Sequence, residues 1–297
     1  MTSRAPFVEW PTLALIIACY LAWAAGTAVF AGLFLPMGIL VTSVAIAFFS
    51  SLQHEVLHGH PFRKQRLNEA LVFPGLTLLI PYIRFRDTHL AHHQNNLLTD
   101  PYDDPESNYL DPKVWAQLSP TVQRILLFNN TLMGRLTIGA AVSQVTFMVS
   151  DVRLILAGQR QVLTAWLAHF VGVAMVVWWL VSVGSMPIWA YVLAAYIGLS
   201  IVKLRTFLEH RAHELVRGRT AIVEGQCFFT FLFLNNNLHV VHHTHPKVPW
   251  YRLPKLYADN KDRYLKRNEG YVYSGYKEVF RRYFFKRKDP VPHPFWR

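Results

Sequence analysis

Charged residues are scarce in this chain of 297 residues, at 16% of the sequence, whereas a soluble domain carries about a quarter. The deficit is concentrated in residues 10–53 and 161–202, which contain no Asp, Glu, Lys or Arg. A helix needs about 20 apolar residues to cross the hydrocarbon core of a membrane, so each stretch has room for two crossings. Two such stretches exclude an ordinary soluble fold and indicate an integral membrane protein.

Each uncharged stretch has a helix breaker near its middle, Pro36 in the first and Pro187 in the second. We therefore predict an all-α integral membrane fold with four transmembrane helices arranged as two hairpins. A cytoplasmic cap completes the single domain, which covers residues 1–297. The shorter apolar run 70–83 is predicted to be an interfacial or re-entrant segment, and residues 131–149 an amphipathic helix lying on the membrane.

Cysteine is also scarce, since the chain has two residues, and they exclude a disulfide framework. Positive charge is in excess: the net charge is +12, and residues 203–297 carry 19 Lys and Arg against 8 Asp and Glu. Basic segments beside membrane helices stay in the cytoplasm. Both termini and residues 55–160 are therefore predicted to be cytoplasmic, as in a multi-pass protein of a bacterial inner membrane. Beside four spans, the basic surplus favours contact with anionic lipid rather than nucleic acid.

Histidine is abundant, with fourteen residues, and eight of them fall into three short clusters. These clusters are named box 1 (His54 and His58), box 2 (His89, His92 and His93) and box 3 (His239, His242 and His243). Residues at i, i+3 and i+4 share one face of a helix, so each box presents its imidazoles in one direction. His169 and His293 lie outside the boxes and are predicted to be ordinary hydrogen-bonded residues.

The number of histidines bears on the number of metal ions. Neutral imidazole suits iron, copper, nickel and zinc. One structural zinc needs four ligands, whereas two octahedral metals with positions left open for oxygen and solvent use about eight or nine. The boxes therefore predict a two-metal site near the cytoplasmic ends of the apolar helices. Because hardly any charged ligand is present, two divalent ions there would keep a high positive charge.

The sequences HEVLH, HLAHH and HVVHH, in this order around two apolar hairpins, resemble the three histidine boxes of the membrane fatty acid desaturase superfamily. That superfamily includes hydroxylases and carotenoid ketolases. The resemblance implies a ninth ligand in a short Glu-His sequence after the last span, which Glu209-His210 matches, with His213 as the competing candidate. The implied metal ligands are His54, His58, His89, His92, His93, His210, His239, His242 and His243. The resemblance also implies an asparagine shortly before box 3, for which the candidates are Asn235, Asn236 and Asn237.

Chemically, the resemblance implies two iron ions, with O2 as oxidant, acting on an unactivated C–H bond of a lipid or acyl substrate. Desaturation of an acyl chain is the expected reaction. Hydroxylation, ketolation, alkene-forming decarboxylation and desaturation of a small natural product are alternatives. A separate ferredoxin, rubredoxin or cytochrome is the implied electron donor, because the sequence has no haem-binding His-Pro-Gly-Gly and no cysteine cluster.

Two other functional classes compete with this interpretation. Box 1 reads HEVLH, the H-E-x-x-H pattern of zinc proteases, in which Glu55 would activate water. A membrane protease of that kind needs a third ligand, commonly an Asp within a span, and the uncharged stretches contain none. A metal transporter would place His, Asp or Glu along the spans, where His169 stands alone.

Two further predictions concern residues between the boxes. Four cations near the predicted metal ends of their helices are candidates for binding an acidic head group, or for snorkelling to lipid headgroups. They are Arg84, Arg86, Lys203 and Arg205. Residues 99–112, rich in Asp and Pro, are predicted to be a surface loop.

Overall fold

The computed structural model describes residues 8–93 and 97–296, and these residues are mainly helical. They form two compact units, each built from two separate segments of the chain. Unit 1 comprises the residues up to Arg86 together with Gln144–Ile201, and unit 2 comprises Asp87–Ser143 together with the residues from Val202 onward.

The first uncharged stretch of unit 1 forms a helical hairpin. Trp10–Leu33 is one long helix that contains a π-helical stretch at Ala25–Phe30, and Leu35–Leu57 is the second helix. The chain reverses at Phe34, which has an extended backbone, and Pro36 lies in the first turn of the second helix. Proline is tolerated there because the first backbone N–H groups of a helix have no partner within it. The predicted helix break thus lies beside Pro36.

The second uncharged stretch forms a matching hairpin from Arg160–Ser182 and Ile188–Thr206, with Pro187 directly before the second helix. Within unit 1 the two hairpins are packed together. The indole of Trp23 donates to the hydroxyl of Tyr191 at 2.9 Å. A Cβ on Gly198 would lie 2.8 Å from the carbonyl oxygen of Ser43, so the absence of a side chain there permits close helix packing.

Between the hairpins, residues 72–80 have no regular helix, and side chains from Gln144–Ile201 bind their carbonyl oxygens. Tyr191 donates to the carbonyl of Leu76 at 2.8 Å, and the Nε2 atom of His169 lies 2.9 Å from that of Leu78. Irregular backbone is tolerated at membrane depth where protein groups satisfy it. The interfacial or re-entrant position of the segment stays a prediction, and the contact with Leu78 gives His169 the hydrogen-bonded role expected of it.

Five helices of the described chain are long and apolar enough to cross a membrane, by length and composition. They support an integral membrane protein. Four of them are the helices of the two hairpins. The fifth, Gly139–Leu156, covers part of the predicted interfacial helix and is the shortest and the least apolar of the five. The four-span arrangement therefore stays a prediction.

Unit 2 contains most of the short elements. Asp111, Ser119 and Thr131 begin three of its helices by accepting a hydrogen bond from a backbone N–H of the first turn. The strands Ile222–Val223 and Val272–Tyr273 pair in parallel. The shorter helices of the described chain are Gln65–Leu71, Tyr82–His92, Pro112–Gln117, Pro120–Asn129, Leu132–Thr137, Phe228–Leu232, His239–Thr244, Leu253–Asp259, Lys261–Arg267 and Tyr276–Tyr283.

The helix that carries box 3 is oriented by its two valines. Val240 and Val241 are almost fully buried and pack in an apolar cluster with Leu253 and Tyr257. Burying two such side chains stabilises the fold by about 3–5 kcal/mol in transfer free energy. With the valines held on the cluster side, the three histidines of His239–Thr244 are directed to the opposite side.

Candidate metal centre

Box 1 lies at the end of the helix Leu35–Leu57 in unit 1. His54 is in its last turn and is buried, and His58 is the residue that ends the helix. The spacing of four residues places the two rings on one face, with their centroids 5.0 Å apart. The shared face predicted for box 1 is therefore present.

Boxes 2 and 3 lie in unit 2, and each divides its histidines between two groups. Along a helix, residues at i and i+4 are 40° apart, whereas those at i+3 and i+4 are separated by about 100°. Accordingly, His89 and His93 stay together, and so do His239 and His243. The remaining histidine of each box joins the pair from the other box. The sequence predicts that the histidines of each box point in one direction, whereas in boxes 2 and 3 they point in two diverging directions.

The four-histidine group consists of His92, His210, His239 and His243, whose ligand nitrogens all lie within 4.8 Å of one another. The Nε2 atom of His210 is 2.9 Å from that of His92 and 3.0 Å from that of His239. The Nε2 atoms of His239 and His243 are 3.1 Å apart. All four side chains therefore converge through the same ring atom.

The two candidates for the ninth ligand have different surroundings. His210 follows the helix Ile188–Thr206 and forms an isolated antiparallel bridge with Thr220, which holds its ring in the four-histidine group. The Nδ1 atom of His213 instead lies 3.1 Å from the backbone N–H of Leu215, which donates to it. Within the described residues, His213 belongs to no group of potential metal ligands. The geometry favours His210.

The three-histidine group of unit 2 consists of His89, His93 and His242. The Nε2 atom of His93 is 3.0 Å from that of His89 and 3.1 Å from that of His242. Box 2 and box 3 therefore contribute to both groups, and unit 2 alone brings seven imidazoles into two clusters.

Both groups fit metal ions by their donor chemistry and spacing. A metal held by imidazole nitrogens at about 2.1 Å separates neighbouring ligands at right angles by about 3 Å. The close Nε2 separations in the two groups are 2.9–3.1 Å. Four ring nitrogens that converge in one group cannot all be paired with one another as hydrogen-bond donor and acceptor. A bound cation would satisfy all of them at once.

Burial keeps most of the converging imidazoles neutral. Desolvation lowers the pKa of His239 and of His243 well below the usual value, and neighbouring histidines lower both further. Burial and the nearby His89 and His92 lower the pKa of His93 to about 3. Their lone pairs are thus available to a metal at neutral pH. His92 differs: burial opposes its protonation, but the carboxylates of Glu106 and Asp104 raise its pKa to about 9.

Residues 99–112 supply those carboxylates; the segment is a loop with exposed residues, as predicted, but some of its side chains are buried against the site. Thr99, Asp104 and Tyr109 are buried. The Nδ1 atom of His92 is 2.8 Å from Asp104 Oδ1, and that of His89 is 2.9 Å from Glu106 Oε1. A composition rich in Asp and Pro is typical of an exposed turn. The one sequence signal of a role in the site is that these acids follow box 2 in the chain.

One of the three asparagines before box 3 contacts a box histidine. The side-chain oxygen of Asn236 lies 3.1 Å from Nδ1 of His239, and its amide donates to Glu209 at 2.8 Å. Asn235 donates to the carbonyl of Trp250, and Asn237 to that of Val223. Of the three candidate asparagines, Asn236 is therefore the one that contacts the site.

Three of the four candidate head-group cations have carboxylate partners within the protein. Arg84 pairs with the buried Asp151 at 2.8 Å, and Arg86 with Glu69 at 2.6 Å. Arg205 pairs with Glu209 at 3.1 Å. These ion pairs favour structural roles for the three arginines over recognition of a substrate head group.

A cavity of about 320 Å³ in unit 2 reaches the four-histidine group. His243 lies in its wall, together with Val240 and Leu98. Arg217 and Arg267 also line it, and both are exposed. Arg217 pairs with Glu269 at 2.8 Å, which offsets its charge at the wall of the cavity.

Comparison with known proteins agrees with the geometry. The family model described as "Fatty acid desaturase" matches residues 28–275, a range that includes all three boxes and His210. The comparison with curated proteins gave no significant match. Family membership and the histidine groups together support an iron-dependent oxidoreductase of the membrane with a lipid or acyl substrate. The chain belongs to the fatty acid desaturase family.

Proposed function

We propose that this protein is an O2-dependent di-iron desaturase of an acyl chain. The observation that carries the proposal is the convergence of seven imidazoles of unit 2 into two groups with metal-ligand spacing. One structural zinc uses four ligands, so a second group of histidines is in excess for a single ion. The family match supports iron as the metal and a lipid or acyl chain as the substrate.

Box 1 supplies the remaining two ligands in this proposal. The three-histidine group has three imidazoles, fewer than the four of its neighbour. His54 and His58 share a face at the end of their helix and lie inside the region matched by the family model. The complete set is His54, His58, His89, His92, His93, His210, His239, His242 and His243.

When bound, two iron ions with O2 supply the oxidising power that removes hydrogen from an unactivated C–H bond. The protein's part is to bind and orient. Buried neutral imidazoles such as His239 and His243 hold their lone pairs toward one point. Their burial also keeps water from the reacting centre, which protects the oxidant from side reactions. No side chain need act as a nucleophile.

Electrons come from a separate ferredoxin, rubredoxin or cytochrome in this proposal. The basic surplus of residues 203–297, with 19 Lys and Arg against 8 Asp and Glu, supports this, because a basic surface would attract an acidic donor protein. The protein is proposed to be a single domain in a bacterial inner membrane, with four spans, cytoplasmic termini and a cytoplasmic site. The concentration of Lys and Arg in residues 203–297 supports that orientation.

The test is expression of the wild type and of His239→Ala in a host of known lipid content. We expect two irons per wild-type chain and a new unsaturated acyl product. His239→Ala should reach the membrane in normal amount but make no product, because it removes a nitrogen at the centre of the four-histidine group. His245→Ala is the matched control, since His245 ends the same helix outside both groups of the described residues.

Other outcomes discriminate the alternatives. Normal turnover by His239→Ala would overturn the ligand assignment. A single zinc per chain would favour the H-E-x-x-H protease. Iron with a hydroxylated, ketone, terminal-alkene or small-metabolite product would retain the metal centre and replace desaturation by the corresponding reaction.

A further inference from the structure

Two acids of residues 99–112 reach the histidine groups from behind the rings. A carboxylate can only accept a hydrogen bond, so the Nδ1 atoms of His92 and His89 donate to Asp104 and Glu106 respectively. In the neutral tautomer that this hydrogen bond selects, the lone pair of each ring is on Nε2, and Nε2 is the atom that converges with the other histidines.

The two pairs are distributed one to each group. His92, held by Asp104, belongs to the four-histidine group, and His89, held by Glu106, belongs to the three-histidine group. Asp104 and Glu106 are two residues apart, and their histidines are three residues apart on one helix. One short loop thus serves both groups.

We infer that Asp104 and Glu106 are positioning residues for the two metals, each fixing the tautomer and ring orientation of one ligand and bringing one negative charge behind it. The inference rests on the proposed di-iron function. It changes the expectation that the ions keep an unbalanced positive charge, because each ligand set has a carboxylate within hydrogen-bond distance of one imidazole. Such carboxylate–histidine–metal arrangements raise the basicity of the ligand.

The loop is built around Asp104. Its Oδ2 atom accepts from the backbone N–H of Thr99 at 2.8 Å, and its Oδ1 atom accepts from that of Glu106 at 2.9 Å. Asp104 therefore also places Glu106. The second oxygen of Glu106 lies 4.0 Å from Nε2 of His92, so its charge acts on both groups.

The two pairs differ in solvent access. The side chains of His92 and Asp104 are 1% and 2% exposed, whereas that of Glu106 is 27% exposed. A buried charge pair interacts more strongly than one screened by water. We therefore expect Asp104 to have the larger effect on its metal, and Glu106 the smaller effect.

The experiment compares Asp104→Asn and Glu106→Gln with Asp103→Asn, a control of the same chemistry on an exposed neighbour. Each purified full-length protein is loaded with ⁵⁷Fe(II) without oxygen. Bound iron per chain is measured, affinity is measured by competition with a chelator, and the two iron sites are compared by Mössbauer spectroscopy. Loss of an outer carboxylate typically lowers metal affinity 10–100-fold.

We expect each test variant to lose iron affinity by about that factor, and to change the Mössbauer parameters of the iron beside its own histidine more than those of the other iron. Asp103→Asn should match the wild type. A role in loop structure alone would lower the loaded fraction without changing the spectrum of the iron that stays bound. Asp104→Asn also removes hydrogen bonds that support the loop, and this variant could fail to fold for that reason. Glu106→Gln then provides the test, because the side chain of Glu106 caps no backbone group in the described residues.

The outcomes separate the two levels of the argument. Wild-type protein with two irons, together with test variants that match Asp103→Asn in affinity and spectrum, would overturn the positioning role and leave the proposed function intact. Wild-type protein that binds no iron would overturn the proposed function, and the positioning role with it.

Discussion

A single step along the chain, from His92 to His93, separates ligands of two different groups. The sequence pattern predicts that the histidines of a box share a face, because spacings of three and four residues can be read directly from the sequence. It does not show that a turn of about 100° per residue divides that face between two sites. Which imidazoles meet depends on contacts between distant segments, such as that of His92 with His210. The boxes were therefore predictable, and the groups were not.

The asparagines before box 3 show the same limit at the level of one side chain. All three are buried, and their spacing from His239 differs by one residue at a time. Asn235 has a left-handed backbone with φ of 57°, a conformation that asparagine tolerates better than most residues. Backbone direction after that turn decides that Asn236 faces His239, which no pattern in the sequence encodes.

Asn236→Ala should lower iron affinity by about 10–100-fold, because it removes the hydrogen bond that orients the ring of His239. Asn237→Ala is the matched control: its amide donates to the carbonyl of Val223, away from the histidines. The control should lose about 1–3 kcal/mol of stability with unchanged iron affinity. Chelator competition and thermal unfolding measure the two quantities. Equal iron affinity of both variants would contradict the assigned contact.

At the scale of elements, the two hairpins were predictable and the contacts of the loop with the metal groups were not. Two uncharged stretches with central prolines specify helical hairpins, because helix formation and helix breaking by proline depend on residues close in the sequence. Residues 99–112 carry the composition of an exposed turn, yet Asp104 is buried because a histidine of the preceding helix pairs with it. Burial of a carboxylate depends on finding a partner, and that partner is identified by the fold.

The helix Arg160–Ser182 packs closely against the irregular residues 72–80 at Gly172, which has no side chain. A Cβ on Gly172 would lie 2.6 Å from the carbonyl oxygen of Phe73, which is too close. Gly172→Ala should therefore displace that segment and destabilise the protein by about 1–3 kcal/mol. It should also lower product formation, because residues 72–80 lead into the helix of box 2.

Ala174→Val is the matched control for Gly172→Ala, because it adds volume at an exposed position of the same helix. Thermal unfolding in detergent and the amount of unsaturated product in the host provide the two measurements. A Gly172→Ala protein as stable and as active as Ala174→Val would show that the close approach has no energetic importance.

At the scale of the whole molecule, the position of Gly139–Leu156 determines how often the chain crosses the membrane. Four crossings require Gly139–Leu156 to lie on the cytoplasmic surface, and five would carry the residues after it to the other side. The buried ion pair of Asp151 with Arg84 is costly to place in lipid and is tolerated where the two charges are desolvated together. It supports an interfacial position for Gly139–Leu156.

Thiol labelling tests this arrangement. Asp103→Cys and Gln159→Cys are each introduced at exposed positions into a chain whose Cys19 and Cys227 are replaced by Ser. With four crossings, a membrane-impermeant maleimide should label both positions in inside-out vesicles and neither in intact cells. Labelling of Gln159→Cys from outside intact cells, with Asp103→Cys labelled from the cytoplasm, would establish a fifth crossing.

The irregular residues 72–80 obtain the partners of their carbonyl oxygens late in synthesis. The side chains that bind their carbonyl oxygens come from residues synthesised later, with separations of 65 residues for Gln144, 91 for His169 and 115 for Tyr191. Until the ribosome has delivered those residues, the carbonyls have water as their partner, since lipid offers none. In a re-entrant position, the segment would enter the bilayer with the second hairpin, and box 2 would reach its final place after most of the chain has been made.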